Sequence, residues 1–431
     1  MRHAVVIGAG IVGACTAIEL SRDGWLVTVV DPGQPGGEQA ASFGNGAWLS
    51  PSSVVPMAHP GLWRRVPGYL LDASGPLTIR PRALPGLTSW LVRFLLAGAT
   101  VSRVERTAQS LRALVGDAPS RHRALAAEAG VPHLVAQRGL LYVFPNRDAF
   151  VRDALAWRLR HDNGVTWHEL DFDALHQHEP ALGRQYQIGV LVPDGGHCAD
   201  PGGYVAALMA HAVALGATVI QAAATGFDAG QTLRAVNTTG GPIACDAAVV
   251  AVGARAGPLA AGLGDRVPLR SERGYHVTID LEGDAPVPRL PLMPSDGKMS
   301  VTTLNQDGRR CLRVAGQVEL AHIDDPPDWR RAVILHGWAR RLFPGLPPDA
   351  PFRQWMGHRP SIADGLPVIG LARRCPGVAY AFGHGHVGLT GGPITGRLVA
   401  DLLGGRAPTI DPAPYDPNRF RLLPRRARGS I

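Results

Sequence analysis

The chain has 431 residues, 45% of them hydrophobic and 18% charged. That balance excludes a disordered chain, and the length is ample for two lobes at the ~100–200 residues usual for a domain. Glycine (53) and proline (37) are both abundant, which suits a loop-rich enzyme better than a helical bundle. The formal net charge is +8, but Arg421, Arg425, Arg426 and Arg428 crowd the C-terminal end. Much of the excess is therefore a basic tail, read as a solvated end, with contact to an anionic membrane surface as the alternative. No basic stripe interleaved with aromatic residues speaks for nucleic acid.

The chain opens on Val5-Val6-Ile7-Gly8-Ala9-Gly10-Ile11-Val12-Gly13. An apolar strand runs into G-x-G-x-x-G, a helical pattern follows from Ile11 to Leu20, and a second apolar run, Leu26 to Val30, ends in Asp31. Strand, tight turn, helix, strand and terminal acid together are the dinucleotide fingerprint in its required context. Gly8 permits the turn, Gly10 lets a pyrophosphate approach the backbone, and Gly13 lets helix pack on strand. The helix N-terminus offers N–H groups and a positive dipole end to the diphosphate, and Asp31 is placed to accept from a ribose hydroxyl. The motif alone does not separate NAD from FAD.

A segment of small residues, Ala40 to Pro51, comes next and lets the backbone pass close to a flat ligand. Helical patterns are predicted at Leu84 to Ala97, Ser102 to Ala129 and Arg147 to Asn163, with a strand at Leu140 to Phe144. The apolar segment Leu87 to Val101 is shorter than the ~20 residues a membrane span needs and carries Arg93, so it reads as a core-facing helix, with an interfacial helix as the alternative. Val190 to Val192, a helix from Gly202 to Leu215 capped by Asp200 and Pro201, and Thr218 to Ile220 read as a second unit extending the same parallel sheet. Leu233 to Val236 and Ile243 to Cys245 form a hairpin, and Ala247 to Ala254, passing through Gly253, is a buried strand. Arg273 to Ile279, Met299 to Thr303 and Cys311 to Ala315 alternate, as in an antiparallel sheet, and Trp329 to Leu342 is a helix. The chain ends with a strand, Val378 to Phe382, a glycine-rich loop, Gly383 to Gly392, and a helix from Ile394 to Leu403.

The five cysteines (Cys15, Cys198, Cys245, Cys311, Cys375) are odd in number, scattered and free of C-x-x-C, which reads as thiols in a reducing compartment. The chain runs straight into its first strand, so a signal peptide is not expected and a cytoplasmic location is, with peripheral contact at the inner face of the membrane left open. The loop Gly383-His384-Gly385-His386-Val387-Gly388-Leu389-Thr390 precedes a helix and forms a second anion-favouring N-terminus. His384 and His386 lack a third partner for a metal, so no metal is expected. Arg359, between Gly357 and Pro360, reads as a turn residue able to clamp a carboxylate bidentately, and Tyr275 offers a phenol to the same group. No G-x-S-x-G, H-E-x-x-H or Walker loop supports a hydrolase or kinase.

Residues Val5 to Gly13 with Asp31, Ser42 to Pro56, Trp355 to Gly370 and Ala381 to Thr390 together give a chain that resembles the FAD-dependent D-amino acid oxidase superfamily, closest to its bacterial D-amino acid dehydrogenases. The resemblance implies an α/β fold: a glutathione-reductase-like FAD-binding domain (1–85, 150–260, 355–415) and a second α+β substrate domain on a largely antiparallel sheet (86–149, 261–354), with 416–431 as the basic tail. It implies noncovalent FAD held by Gly8, Ala9, Gly10, Ile11, Val12, Gly13, Asp31, Ser42, Asn45, Gly46, Gly253, Gly385, His386, Val387, Gly388, Leu389 and Thr390. The family usually has glutamate where Asp31 stands. Arg359 would pair with the substrate carboxylate, with Tyr275 beside it. The implied activity is oxidative deamination of D-amino acids, with electrons passing to a quinone or respiratory acceptor. Secondary amines (D-proline, D-hydroxyproline, sarcosine) or glycine are the alternative substrates, and a noncatalytic nucleotide-binding subunit is the alternative of another class.

Overall fold

The computed structural model describes residues 1–72, 75–230, 232–283, 285, 287–306 and 308–420. The arginines at 421–428 lie outside them. The apolar runs of the sequence form one sheet. Thr218–Gln221, Leu26–Asp31, His3–Ile7, Ala247–Val250 and Val378–Phe382 lie side by side in that order and parallel, with Val368–Leu371 antiparallel at the far edge. The strands at 4–7, 247–250 and 378–382 are buried on both faces, which is why their sequences are apolar without alternation.

One face is covered by helices Ile11–Arg22, Pro201–Ala214 and Gly388–Gly404. The first and last of these approach closely because Gly396 carries no side chain: a Cβ there would lie 2.7 Å from the backbone carbon of Cys15. Arg397 then ties the pair, donating to Glu19 at 2.7 Å and to Asp23. The other face carries a small antiparallel sheet, Ala224–Ala229, Leu233–Thr238 and Gly241–Ala244.

The second, nine-stranded sheet runs Phe352–Ile362, Leu269–Asp280, Arg309–Leu320, Ser300–Gln306, Leu292–Pro294, Leu140–Phe144, Ile188–Val192 and His168–Leu170, with Leu77–Ile79 paired to Arg309–Leu320. Its first four strands are antiparallel neighbours, and helix Arg330–Leu342 packs its Ala332, Leu335, Ala339 and Leu342 against one face.

Several expectations change. Ile188–Val192 belongs to this second sheet and not to the parallel one; only Thr218–Gln221 extends the latter. The segment read as one helix over 102–129 is two, Val101–Val115 and Ala118–Glu128, broken at Gly116-Asp117 before Pro119, whose ring removes a helical N–H. The helix over 147–163 likewise breaks at Asp153. The last helix starts at Gly388, inside the stretch read as loop, because glycines that weaken helix propensity here serve close packing. Arg359 lies within an edge strand and not in a turn; Pro360 is compatible with that position because an edge strand tolerates a missing N–H. The strands at 168–170, 188–192 and 352–362 thus sit outside the cofactor-side sheet, whereas Leu111, Leu114, Leu125 and Ala126, from the 86–149 segment, share the core of the first and last helices. Residues 416–420 are docked and not tail: Arg419 donates to Asp364 at 2.8 Å and to Leu366 O at 2.8 Å.

Candidate active site

The two sheets border a cavity of about 1650 Å³. A single small-ligand pocket is typically ~300–1,000 Å³, so this one has room for an extended dinucleotide together with a second molecule.

The glycine turn enters from the parallel sheet. Gly8 adopts φ 112°, and a Cβ there would lie 2.6 Å from Ala251 O; a Cβ on Gly13 would lie 1.8 Å from Gly8 O. Packing alone requires both glycines. Gly10 differs. A Cβ there would meet only Ser42 Oγ, at 3.4 Å, and Gly10 faces the cavity. Its bare backbone is kept open toward a ligand, which is the fit a dinucleotide diphosphate needs. Asp31 accepts from Ala9 N and from Gly33 N, both at 2.8 Å, so the shorter acid fixes the turn itself while still lining the cavity. Each carboxylate oxygen keeps a second lone pair for a hydroxyl. Ser42 Oγ accepts from Ile11 N at 3.1 Å and joins the small-residue segment to the helix start.

That segment is held from the other sheet. Arg313, fully buried, donates to Phe43 O at 2.8 Å, Asn45 O at 3.1 Å and Gln306 Oε1 at 3.0 Å. It forms no ion pair among the described residues, and desolvation pushes its pKa down to about 10. His276 hydrogen-bonds Gly44 O at 3.1 Å and stacks on Trp355, whose indole N–H donates to Glu38 O at 2.9 Å. The ring of Trp355 occupies the space a Cβ on Gly44 would take, 2.0 Å away, and Ser300 Oγ lies 1.9 Å from the place of one on Gly46. Ala47 is forced to φ 67°, with its N–H donating to Asn45 Oδ1 at 2.8 Å. A backbone held from the other sheet at Phe43, Gly44 and Asn45, with a strained residue beside them, is fixed where it borders the cavity.

Arg359 projects from the edge strand across Gly274 of the neighbouring strand, where a Cβ would lie 2.4 Å from its Cζ. It donates to Gln317 O at 3.0 Å and Gly316 O at 3.3 Å. Those two carbonyls converge because the strand Arg309–Leu320 bulges there: Arg273 pairs with Glu319 but Tyr275 with Gly316, and Gln317 is bent to φ 54°. A bulge beside a site re-aims groups, and this one fixes the guanidinium. Two of the five donors are used, the residue lines the cavity, and burial lowers its pKa, so a desolvated cation awaits an anion. His386 has its ring exposed to the same cavity; desolvation by the surrounding walls first, then the charge of Arg359, lowers its pKa to about 4.

The start of the last helix forms a further wall. Thr390 Oγ1 donates to Trp48 O at 3.1 Å. Buried His122 bonds Leu389 O at 2.9 Å through Nε2 and Tyr204 Oη at 2.9 Å through Nδ1. A carbonyl only accepts, so Nε2 carries the proton and Tyr204 donates to Nδ1. Burial lowers the His122 pKa to about 4.

Of the sequence-predicted residues, Gly8, Gly10, Ile11, Val12, Asp31, Ser42, Asn45, Gly46, Gly253, Tyr275, Gly385, His386, Gly388, Leu389, Thr390 and Arg359 line the cavity, while Ala9, Gly13 and Val387 do not. Tyr275 reaches the cavity wall with its phenol already engaged. Its hydroxyl donates to Glu319 Oε2 at 2.6 Å and accepts from Asp328 N at 2.9 Å, inside a buried network with Arg273 and Arg80. Tyr275 thus lines the cavity beside Gly274 and Arg359 while its hydroxyl is tied to Glu319 and Asp328. His384 is also committed, its Nε2 bonding Thr395 Oγ1 at 3.0 Å. Sequence reasoning missed Gly274, Gln317, Arg313, His276 and His122. Gly274 and His276 had a signal, since both stand in Arg-Gly-Tyr-His.

Residues 3–402 match the family described as FAD dependent oxidoreductase. The chain is 53% identical to a "D-amino-acid oxidase" of Bradyrhizobium diazoefficiens over 97% of this chain and 99% of that one, and 33% identical to "D-amino acid dehydrogenase 2" of Ralstonia nicotianae over 95% and 98%. The fold is similar to that of glycine oxidase from Geobacillus kaustophilus, with TM-score 0.73 at 21% identity, covering 98% of this chain and all of the other. A match over nearly the whole chain, joined to a dinucleotide turn kept open at Gly10, makes this chain a member of the FAD-dependent oxidoreductase family.

Proposed function

We propose that this chain oxidises D-amino acids to 2-oxo acids, with Arg359 binding the substrate carboxylate. The observation that carries the reading is the Arg359 guanidinium laid over Gly274 at the cavity wall, held by Gly316 O and Gln317 O with donors to spare. The relative at 53% identity, named for D-amino-acid oxidation, supports the substrate class.

FAD, when bound, supplies the acceptor for hydride from the substrate α carbon. Gly8, Gly10, Ile11 and Val12 would hold its diphosphate end, Asp31 a ribose hydroxyl, Ser42 to Gly46 the passage toward the ring, and Gly385 to Thr390 the helix N-terminus that favours developing negative charge. Arg359 fixes the substrate at one end, so the α carbon is presented in one orientation. Orientation of this kind accounts for ~7–11 kcal/mol of a barrier. His386 is neutral at pH 7 and adds no second cation to compete with Arg359 for the carboxylate.

For the electron acceptor we propose a quinone at the membrane surface. The support is an apolar rim: Trp63, Leu70, Leu84 and Leu95 both line the cavity and are exposed, and Val92 and Leu96 extend the exposed surface along helix Leu84–Ala97. That helix buries Leu87 and Trp90, so its core-facing side coexists with this rim. Among the described residues no single helix is long and apolar enough to cross a membrane. Rapid reoxidation of the reduced protein by air would favour oxygen instead.

The test of the substrate reading is anaerobic titration with D-, L- and N-alkyl amino acids, reading the visible flavin band. Bleaching by D-amino acids supports it. Bleaching only by N-alkyl amino acids moves the reading to secondary amines, and no bleaching by any overturns it.

A further inference from the structure

Glu272 is a carboxylate with no assigned role. It stands on Leu269–Asp280 in register with Arg359 and lines the same cavity, yet the two form no ion pair among the described residues. The Arg359 guanidinium is turned away, across Gly274 toward Gly316 O and Gln317 O. Among the described residues Glu272 takes one hydrogen bond, from Ser361 Oγ to Oε1 at 2.8 Å, and none reaches Oε2. The same residue lines a second cavity of about 30 Å³. At ~10–15 Å³ of such space per water, that cavity holds one to a few waters. Besides Glu272, its polar wall comprises Thr107, Ser361, Asp364, His384 and His386. Glu272 therefore stands in the partition between the substrate cavity and a water-sized one.

The groups facing it are Arg359 and Ser361 from the edge strand, His384 and His386 from the glycine loop, and Asp364 from the turn after the edge strand. Both histidines are neutral at pH 7, with pKa values of about 4. Burial raises the Glu272 pKa, opposed by the Ser361 hydrogen bond and by Arg359. An unpaired, partly desolvated carboxylate is a better proton acceptor than an ion-paired one.

We propose that Glu272 receives a proton from the α-ammonium of the substrate whose carboxylate is on Arg359, and returns it to solvent through the small cavity. One N–H bond of the ammonium breaks and one O–H bond forms on Glu272. The nitrogen keeps the electron pair and becomes a neutral amine; Glu272 then loses the proton to water and is a carboxylate again. No electron changes hands in this step. The assignment rests on the amino-acid reading above.

The test uses two probes with the FAD-loaded protein, followed by the shift of the flavin spectrum on binding: 2-aminoisobutyrate, an amino acid without an α hydrogen, and isobutyrate, the same acid without the amine. Glu272→Gln is expected to weaken 2-aminoisobutyrate by about tenfold or more while isobutyrate changes by less than about threefold. The acidic limb of the kcat/KM pH profile with a D-amino acid is expected to vanish in Glu272→Gln and return, displaced, in Glu272→Asp. Equal weakening of both probes, or an unchanged acidic limb, overturns the proposal while leaving the substrate reading intact. Failure of the unaltered protein to bind either probe overturns the amino-acid reading and this proposal with it.

Discussion

The guanidinium of Arg359 fills the space that a side chain on Gly274 would need, with Cζ 2.4 Å from where a Cβ would stand. Both neighbours of the guanidinium at that point are backbone, so Arg359 has to move if Gly274 gains a methyl group. Gly274→Ala is expected to lower kcat/KM by about 10²-fold, the size of effect that an ~1 Å misplacement produces. FAD content should be unchanged, because Gly274 stands on the nine-stranded sheet and the dinucleotide turn on the parallel one. Steady-state kinetics with a flavin-to-protein ratio checks both halves.

The two glycines of the turn separate packing from ligand binding. Gly8→Ala meets Ala251 O at 2.6 Å in a backbone with φ 112°, so it is expected to destabilise the fold, by about 1–3 kcal/mol or more. Gly10→Ala meets only Ser42 Oγ at 3.4 Å and should fold normally, but lose FAD affinity. Denaturation midpoints of the two apoproteins beside their FAD dissociation constants distinguish them.

Arg313 joins the Phe43 to Asn45 backbone to the nine-stranded sheet without a carboxylate partner among the described residues. Arg313→Met leaves Phe43 O and Asn45 O without that donor, at about 1–3 kcal/mol for each buried group. A lower melting temperature and a lower flavin-to-protein ratio are expected together. A variant that melts lower but retains full FAD would show that the clamp serves the fold alone.

Buried His122 gives a pH signature. Its pKa is about 4 in the folded protein against 6.5 for an ordinary histidine. Between pH 6.5 and 4 the unfolded chain binds the proton and the folded protein does not, so stability falls as pH falls through that window and levels off below it. At 1.36 kcal/mol per unit the loss is about 3 kcal/mol. Denaturant unfolding at pH 7.5 and pH 4.5 should show His122→Asn less pH-dependent than the unaltered protein, although weaker at pH 7.5.

Much of the frame was legible because local pattern and tertiary environment agree. The buried runs at Val5, Val27 and Ala248 are apolar on both faces and can only be central strands, and Asp200 with Pro201 marks a helix start that the structure keeps, with Asp200 accepting from Gly203 N at 3.1 Å. The glycine turn and Asp31 were legible for the same reason. Where constraints come from distant residues, the pattern was silent. Nothing local says that Gln317 is bent to φ 54° or that two successive carbonyls of a bulge meet an arginine 42 positions away. Arg359 beside Pro360 reads as a turn because proline breaks strands, and the edge position that permits it is a property of the assembled sheet. Tyr275 stands at the cavity as its sequence neighbours suggested, but nothing local announced that its hydroxyl is bonded to Glu319. Gly388 to Gly392 read as loop because glycine disfavours helix; the close approach of Ile11 to Gly392 explains why the helix keeps it.

The central claim is that Arg359 holds the substrate carboxylate beside the FAD. The most direct measurement is anaerobic rapid mixing of Arg359→Ala and of the unaltered protein with a D-amino acid, following flavin bleaching against substrate concentration. Loss of a buried carboxylate–guanidinium contact is worth about 2–5 kcal/mol, so half-saturation should rise at least about 30-fold, with FAD content and the oxidised flavin spectrum retained. Half-saturation equal to that of the unaltered protein would contradict the account.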